Sequence, residues 1–317
     1  MKKNLTRRNF LETGGVIITG MVISPGSMKG VVQETNRNRI RLGGPVPGNF
    51  TDPDQWSVAV KSLGYSAAYS PVQAGTSSAL IKAFRDAAEK NNILIAEVGV
   101  WNNLHDPDDS MRKENLKKNI ESLHLAEELG AKCCVNISGA RGEIWDGPYP
   151  GNYSDETFDM IVENVRYILD AVRPASAFYT LEPMPYMLPD SPDTYLELIK
   201  AIDRKQFAVH LDPVNMISSP QKFFGNAGFI KECFRKLGPY IKSVHAKDII
   251  IRPKLTVHLD ECRPGLGSLD YGVLLQELSR LKDIPLMLEH LEKQEDYKLA
   301  AEYVRKTGVR IGLNFSD

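Results

Sequence analysis

The sequence predicts a (β/α)8 barrel, and three observations lead to that prediction. The chain has 317 residues, 42% of them hydrophobic and 25% charged, which suffices for the core of a single barrel of about 250 residues. Short β-rich runs alternate eight times with longer amphipathic stretches, and no linker interrupts them. Side chains that bind metals stand where the last four runs end. A doubly wound open sheet is the alternative that this alternation leaves open.

The first four strand-helix units lie between Arg39 and Val172. Their predicted strands are RIRLGG, YSAAYS, ILIAEVGV and KCCVNIS. Their predicted helices are PDQWSVAVKSLG, SALIKAFRDAAEKN, RKENLKKNIESLHLAEELG and DETFDMIVENVRYILDAV. Two of these helices are expected to end at a glycine C-cap, at Gly64 and Gly130.

The second four units continue the alternation to the end of the chain. Their predicted strands are AFYTLEP, QFAVHLD, IKSVHAKD and PLMLEH. Their predicted helices are PDTYLELIKAI, PQKFFGNAGFIKECFRKLG, LDYGVLLQELSRL and EDYKLAAEYVRKTG. Gly238 is expected to cap the sixth helix. The seventh unit carries an insertion, IIIRPKLTVHLDECRPGLG, which is expected to cover the mouth of the barrel.

The N-terminal segment is predicted to lie outside the barrel, so residues 1–38 are assigned to an export signal and linker and residues 39–317 to the barrel. Arg7 and Arg8 precede a short, glycine-bearing apolar run, which resembles a twin-arginine export signal with Glu12 where lysine is more usual. A basic tail is the alternative. The apolar run is short for a membrane span, so we expect a periplasmic protein or one anchored by an uncleaved signal.

The charge balance disfavours nucleic acid as a partner. The formal net charge is -1, and no long basic run follows the N-terminal segment, so nothing attracts a phosphate backbone or an anionic membrane over a distance. No stable membrane span is expected beyond the signal. Whether the chain forms a homo-oligomer is left open by the sequence.

Four candidate ligands stand at the ends of the last four predicted strands. Glu182 and Asp212 each precede a proline, which ends a strand because it lacks an amide proton. His245 and Glu289 close the last two strands. The carboxyl ends of barrel strands meet at one face, where catalytic groups of this fold lie. The sequence therefore predicts that these four side chains converge.

Two glutamates, an aspartate and a histidine form an oxygen-rich ligand set with one imidazole. Such a set suits one divalent ion of manganese, magnesium or cobalt, and zinc is compatible with it. For each of these four residues taken alone, the alternative to metal binding is a side chain that caps a helix or pairs with a lysine. His210 lies two residues before Asp212, so its side chain faces the barrel interior as that of Asp212 does, but one layer deeper. We therefore expect it to support the ligands or the substrate.

The motifs TLEP, HLDPVN, VHAKD, RPGLGSLDY and LMLEH, in this order, resemble the xylose-isomerase-like barrel superfamily of sugar phosphate isomerases and epimerases. The resemblance extends over nearly all of the chain from about Arg39 onward. It implies that Glu182, Asp212, His245 and Glu289 bind one divalent metal. It also implies that the two glutamates act as catalytic acid and base on a small carbohydrate.

Such a site suits chemistry at a carbon next to a carbonyl group. A metal ion stabilises the negative charge of an enediolate while a carboxylate removes the proton. Return of the proton gives an epimer or an isomer, whereas loss of a β-oxygen makes the enzyme a lyase. Export favours free sugars, keto-sugars, inososes or glycosides over phosphorylated sugars. A non-catalytic sugar-binding protein is the second alternative.

Several other residues near the strand ends are candidates for substrate binding. Lys247 shares the inward parity of His245, and its alternative role is a salt bridge at the rim. Trp101 and Asn103 follow the third strand and offer a ring face and an amide to a sugar. Arg263 either binds an acidic or hydroxylated substrate or pins its loop.

The chain departs from the family pattern at Asn215, where ketose epimerases commonly have a histidine. Asparagine can bind a sugar hydroxyl, but it cannot act as acid or base near neutral pH. DNA-repair endonucleases of the superfamily use extra histidines for three zinc ions, and only His105 and His258 could compensate here. Phosphodiester cleavage is therefore disfavoured. Glu97 is expected to be buried at the rim, and His290 is expected to be structural.

Overall fold

The computed structural model describes residues 39–317, which form a closed barrel of eight parallel strands. The barrel strands are β1 (Arg41–Gly44), β2 (Ala67–Tyr69), β3 (Leu94–Gly99), β4 (Cys133–Asn136), β5 (Phe178–Leu181), β6 (Phe207–Leu211), β7 (Ile241–Ala246) and β10 (Pro285–Leu288). β10 pairs with both β1 and β7, so the sheet closes. This closure confirms the barrel and excludes the open sheet. The predicted signal and linker lie outside the described residues.

The helices alternate with the strands around the barrel. They are α1 (Pro53–Ser62), α2 (Ser78–Lys90), α3 (Asp109–Leu129), α4 (Asp155–Val172), α5 (Pro192–Ile202), α6 (Pro220–Phe224), α7 (Asn226–Leu237), α8 (Tyr271–Leu278) and α9 (Gln294–Arg310). Their buried apolar side chains pack against the outward-facing side chains of the strands in one continuous core. No helix among residues 39–317 combines the length and the apolarity that a membrane span requires.

The sixth predicted helix is broken in two at Gly225. Gly225 ends α6 and begins α7. Asn226 is buried, and its side-chain amide donates to the carbonyl oxygens of Phe223 and Ser268, while its oxygen accepts from the amide of Asp270. The break therefore directs a polar side chain toward the loop before α8, which a continuous amphipathic pattern did not predict.

The three glycines predicted to end helices behave differently. Gly64 and Gly130 have positive φ angles of 71° and 67°, which a residue with a side chain adopts only with strain. Gly238 also follows the last residue of its helix, but it has a right-handed φ of -44°. A Cβ atom there would lie 2.6 Å from the carbonyl oxygen of Phe234. Close backbone approach, and not a left-handed turn, explains glycine at this position.

The insertion after β7 forms an antiparallel hairpin of β8 (Asp248–Arg252) and β9 (His258–Cys262). Its base is held by Asp248, which is fully buried. The Asp248 carboxylate accepts hydrogen bonds from the backbone amides of Ile249, Gly265, Gly267 and Leu269, at 2.9, 2.9, 3.1 and 2.9 Å. One side chain thus fixes both the start of the hairpin and the loop that leads into α8.

Candidate metal centre and active site

The four predicted ligands meet at the carboxyl-terminal end of the barrel. Each of Glu182, Asp212, His245 and Glu289 offers one atom, and these atoms lie within 4.8 Å of one another. The carboxylates directly follow β5, β6 and β10, while His245 is the penultimate residue of β7. Parallel strands in neighbouring positions bring their ends to the same face. The barrel itself therefore assembles the cluster.

His245 lies at the centre of the cluster. Its Nδ1 atom is 2.7 Å from Oε1 of Glu289, 3.1 Å from Oε1 of Glu182 and 3.9 Å from Oδ2 of Asp212. Burial lowers the pKa of His245, but the negative charges of Glu289 and Glu182 outweigh it and hold that pKa well above its usual range. The same carboxylates would favour a metal ion at this nitrogen.

The turn after β6 aims one oxygen of Asp212 at the cluster. Oδ1 of Asp212 accepts hydrogen bonds from the backbone amides of Val214 and Asn215, at 2.8 and 3.1 Å. Pro213 ends the strand and has no amide proton to compete for that oxygen. Oδ2 is consequently left to face the other ligands, and the whole side chain is buried.

A fourth carboxylate, that of Glu97, lies beneath His245. Oε2 of Glu97, on β3, lies 3.4 Å from Nε2 of His245, a long contact without hydrogen-bond geometry. Oε1 of Glu97 lies 2.9 Å from Nε2 of His210 and accepts a hydrogen bond from Ser243. Burial opposes ionisation of Glu97, but the charges of His210 and His245 hold its pKa below the usual range. Glu97 therefore places a negative charge behind His245, on the side away from the three other carboxylates.

Lys247 places a positive charge among the ligands. Its side chain is only 1% exposed, and its ammonium nitrogen lies 2.7 Å from Oε1 of Glu289, 2.9 Å from Oδ2 of Asp212 and 3.6 Å from Oε1 of Glu182. Burial lowers the pKa of Lys247, but the carboxylates, first Asp212 and then Glu182, raise it well above its usual range. The lysine therefore stays protonated in the site.

Asn215 connects the lysine to the ligand set. Its side-chain nitrogen donates to Oε1 of Glu182 at 3.1 Å and to the carbonyl oxygen of Pro183 at 3.0 Å. Its side-chain oxygen accepts from Lys247 at 3.3 Å. At the position where related epimerases are expected to have a histidine, this chain thus has an amide that orients Glu182.

The donor set fits a divalent cation. Oδ2 of Asp212 and Oε1 of Glu289 are buried, and despite their short distances to Lys247 neither has a partner with hydrogen-bond geometry among residues 39–317. Burial, with the charges of Glu182 and Glu289, raises the pKa of Asp212 to about 6, although Lys247 opposes this. Converging carboxylate oxygens without hydrogen-bond donors suit a hard divalent ion, which prefers oxygen ligands.

A cavity of about 550 Å³ opens above the cluster. Its volume lies within the range of small-molecule sites, about 300 to 1,000 Å³. Loops after β3 and β4 supply Trp101 and Trp145, which are 44% and 38% exposed. Tyr69 and Met184 line it as well, and the hairpin adds Glu261. Aromatic faces beside carboxylates and amides suit a polyhydroxylated ligand, which has both apolar C–H faces and hydroxyl groups.

Three residues predicted to bind substrate lie outside this cavity. Asn103 is buried, and its side chain donates to the carbonyl oxygen of Ala140 and accepts from the amide of His105, so its amide is used in loop packing. Arg263 contacts Asp296 at 3.4 Å and pins its loop to α9. His210 is fully buried beneath the ligands and reaches Glu97. Trp101, Asn215 and Lys247 do line the cavity.

Glu261, Trp145 and His290 line the cavity, although the sequence does not predict them as site residues. Glu261 lies on β9 of the inserted hairpin and Trp145 on the loop after β4, and no periodic pattern predicts the direction of either side chain. His290 was expected to be structural because it follows Glu289 on the opposite strand face. Its backbone has a left-handed φ of 53°, which turns the side chain into the cavity, where Nδ1 lies 3.3 Å from Oε2 of Glu261. A strand-end residue cannot be assigned to a face by parity alone.

Two groups of residues among those described could hold a metal ion. One is the strand-end cluster, and the other consists of Glu97, His210 and His245. The second group shares His245 with the first, and its glutamate is already hydrogen-bonded to His210. Neither His105 nor His258 belongs to either group, so the described residues do not assemble the three-metal site of an endonuclease.

The barrel and its strand-end cluster define a (β/α)8 protein with a ligand-rich site at the carboxyl ends of its strands. The chain belongs to the xylose isomerase-like TIM barrel family, whose model matches residues 58–307. No curated protein matches the chain in sequence.

Solved structures share this fold at low sequence identity. The apo form of the 3-keto-D-glucoside 4-epimerase YcjR from E. coli has a TM-score of 0.63 and 14% identity, over 84% of this chain and 100% of the other. A xylose isomerase-like TIM barrel protein from Mycobacterium smegmatis in complex with magnesium has a TM-score of 0.59 and 18% identity, over 85% of this chain and 95% of the other. The probable 3-DHS dehydratase AsbF from Bacillus anthracis has a TM-score of 0.60 and 16% identity, over 84% of this chain and 97% of the other.

Proposed function

We propose that the protein is a divalent-metal-dependent isomerase or epimerase of a free sugar or keto-sugar. The observation that supports this most is the convergence of Glu182, Asp212, His245 and Glu289 at the floor of a cavity with exposed tryptophans. Family membership and the epimerase among the similar structures agree with this class of reaction. The small carbohydrate is the proposed partner, and a homo-oligomer stays an open expectation.

Glu182 and Glu289 are the proposed acid and base. Burial raises the pKa of each, but the positive charge of His245 holds both pKa values below the usual range, with Lys247 contributing at each. Both shifts favour the ionised form, in which a glutamate can accept the proton from carbon as base; the glutamate that has taken up this proton can then return it as acid. A bound divalent ion would supply electrostatic stabilisation of the enediolate. Lys247 and Asn215 would bind and orient substrate oxygens beside these carboxylates.

A lyase is the second candidate function. The same proton abstraction leads to elimination when the substrate carries a leaving oxygen β to its carbonyl group. The presence of a probable dehydratase among the similar structures supports this alternative. A non-catalytic sugar-binding protein is the remaining alternative, and it requires a site that binds without exchanging protons.

Deuterium exchange would test the class of reaction. Metal-loaded protein is incubated in heavy water with keto-sugars, inososes and 3-keto-glycosides, and proton NMR is recorded. We expect deuterium at a carbon next to the carbonyl, with a rearranged sugar from an isomerase or epimerase. An unsaturated or cleaved product would assign the lyase. Binding without exchange or product across the panel would contradict catalysis and favour the binding protein, and Glu289→Gln provides the inactive control.

Metal content would test the proposed ligands. Purified protein is expected to contain about one divalent ion per chain, removable by a chelator, because ligand atoms at one point bind a single ion. Elemental analysis should show less metal in Glu289→Gln than in the wild type. The matched control is Glu292→Gln, an exposed residue just beyond the same strand. Equal metal content in all three proteins would contradict the assignment.

We propose that the protein is exported and acts in the periplasm or anchored by its uncleaved signal. The twin-arginine-like segment precedes the described barrel, and twin-arginine export carries folded proteins, which suits a barrel loaded with its metal before transport. Fusing residues 1–38 to a reporter and exchanging Arg7 and Arg8 for lysine would measure the dependence on the arginine pair.

A further inference from the structure

The ammonium group of Lys247 lies where the ligand atoms converge. Its nitrogen contacts one oxygen of each of three candidate ligands, and Oε1 of Glu289 and Oδ2 of Asp212 are within 2.7 and 2.9 Å. The same two oxygens face Nδ1 of His245. The lysine therefore neutralises the carboxylates that a divalent ion would need.

A divalent ion and this ammonium group could not use the same oxygens together. The two cations would repel each other strongly inside a buried cluster, where little water screens them. Lysine has a flexible four-carbon stem and makes no fixed bidentate contact. Its head can consequently move while its backbone stays fixed between β7 and β8.

Glu261 offers a second position for the lysine head. Its Oε2 atom is 3.7 Å from the Lys247 nitrogen, and among the carboxylates of residues 39–317 that contact Lys247 it alone lies outside the ligand cluster. Its side chain is 34% exposed, on the hairpin, and His290 contacts the same oxygen. A move of the ammonium group toward Glu261 would keep the lysine paired and leave the ligand oxygens open.

We propose that Lys247 is an internal counter-ion that a metal displaces, and that Glu261 is the positioning residue that receives it. The inference rests on the proposed metal site. No bond is formed or broken, and the proton stays on the lysine. Affinity for the metal then depends on a hairpin residue that does not ligate it.

A double-mutant cycle in metal binding tests the proposal. Titration calorimetry with manganese chloride is performed on the metal-stripped full chain, on Lys247→Met, on Glu261→Gln and on the double variant. Lys247→Met is expected to bind manganese about tenfold more tightly, because a competing charge has left a weakly screened site. Glu261→Gln is expected to bind several-fold more weakly. The double variant should match Lys247→Met, because Glu261 acts only through the lysine.

Matched controls separate this role from general charge effects. Asp260→Asn removes a carboxylate from the same hairpin, where it pairs with Arg252 at 2.8 Å. Lys242→Met removes a half-buried lysine from the other end of β7, where it lies over the ring of Phe178. Both are expected to bind manganese as the wild type does. Circular dichroism confirms folding, and Glu261→Gln keeps the proposal testable if Lys247→Met does not fold.

The outcomes distinguish the inference from the proposed function. Absence of manganese binding in the wild type would overturn both. Wild-type binding with no gain in Lys247→Met would overturn the displaced lysine alone. If the double variant binds manganese more weakly than Lys247→Met does, Glu261 attracts the ion directly and not through the lysine. That result would also overturn the proposed role of Glu261.

Discussion

Replacing Glu182 with glutamine is expected to lower kcat by about 10²- to 10⁴-fold, the usual contribution of a positioned proton-transfer group. The same loss is expected for Glu289→Gln, because the amide cannot accept a proton from carbon near neutral pH. Each variant is assayed at saturating metal with its metal occupancy checked, since glutamine also weakens a ligand. Turnover of the best substrate from the deuterium panel is the measurement.

Asn215→Ala is the comparison for these variants. Its amide orients Glu182 and Lys247 through hydrogen bonds of 3.1 and 3.3 Å, so its loss should cost about 1.5 to 3 kcal/mol of transition-state stabilisation. If Glu182→Gln stays loaded and fully active while Asn215→Ala is inactive, the two-glutamate mechanism is wrong.

Asp248→Ala is expected to lower the free energy of unfolding by about 3 to 5 kcal/mol. The change removes a buried charged acceptor of four backbone amides, and each such hydrogen bond contributes about 1.5 to 3 kcal/mol, with partial recovery by water. Urea unfolding followed by circular dichroism measures the loss.

Asp260→Ala, on the same hairpin, is the control for this effect. Its carboxylate pairs with Arg252 at the surface, and exposed pairs contribute less than about 1 kcal/mol. Equal loss in the two variants would mean that Asp248 has no special role. A stable Asp248→Ala variant would show that the loop retains its conformation without the carboxylate.

The barrel could be predicted because its elements depend on local patterns. Each of the eight strand runs is short and β-rich, and each predicted helix has an amphipathic pattern, so the alternation alone indicates the fold. The same regularity places Glu182, Asp212, His245 and Glu289 at strand ends, which is why the sequence suffices to predict their convergence.

Features that depend on long-range contacts were not predictable in the same way. At the break at Gly225, Asn226 bonds to a loop about 40 residues away, a contact that no local pattern predicts. Glu261 reaches Lys247 because the insertion folds into a paired hairpin, and its polar sequence does not show which face points inward. In the sequence Asn103 resembles a loop amide that is free to bind a ligand, but in the structure it donates a hydrogen bond to the carbonyl oxygen of Ala140.

The hairpin gives a route to redesign that leaves the barrel untouched. Asp248 and Cys262 are directly paired, so the two ends of the insertion are neighbours in space. Residues 249–261 could therefore be exchanged for other hairpins as a single cassette, grafted between fixed points and screened as a library. Every such variant would keep the strand-end ligands while the wall contributed by Glu261 changed. Catalytic machinery and ligand preference would then be encoded in separate stretches of the gene.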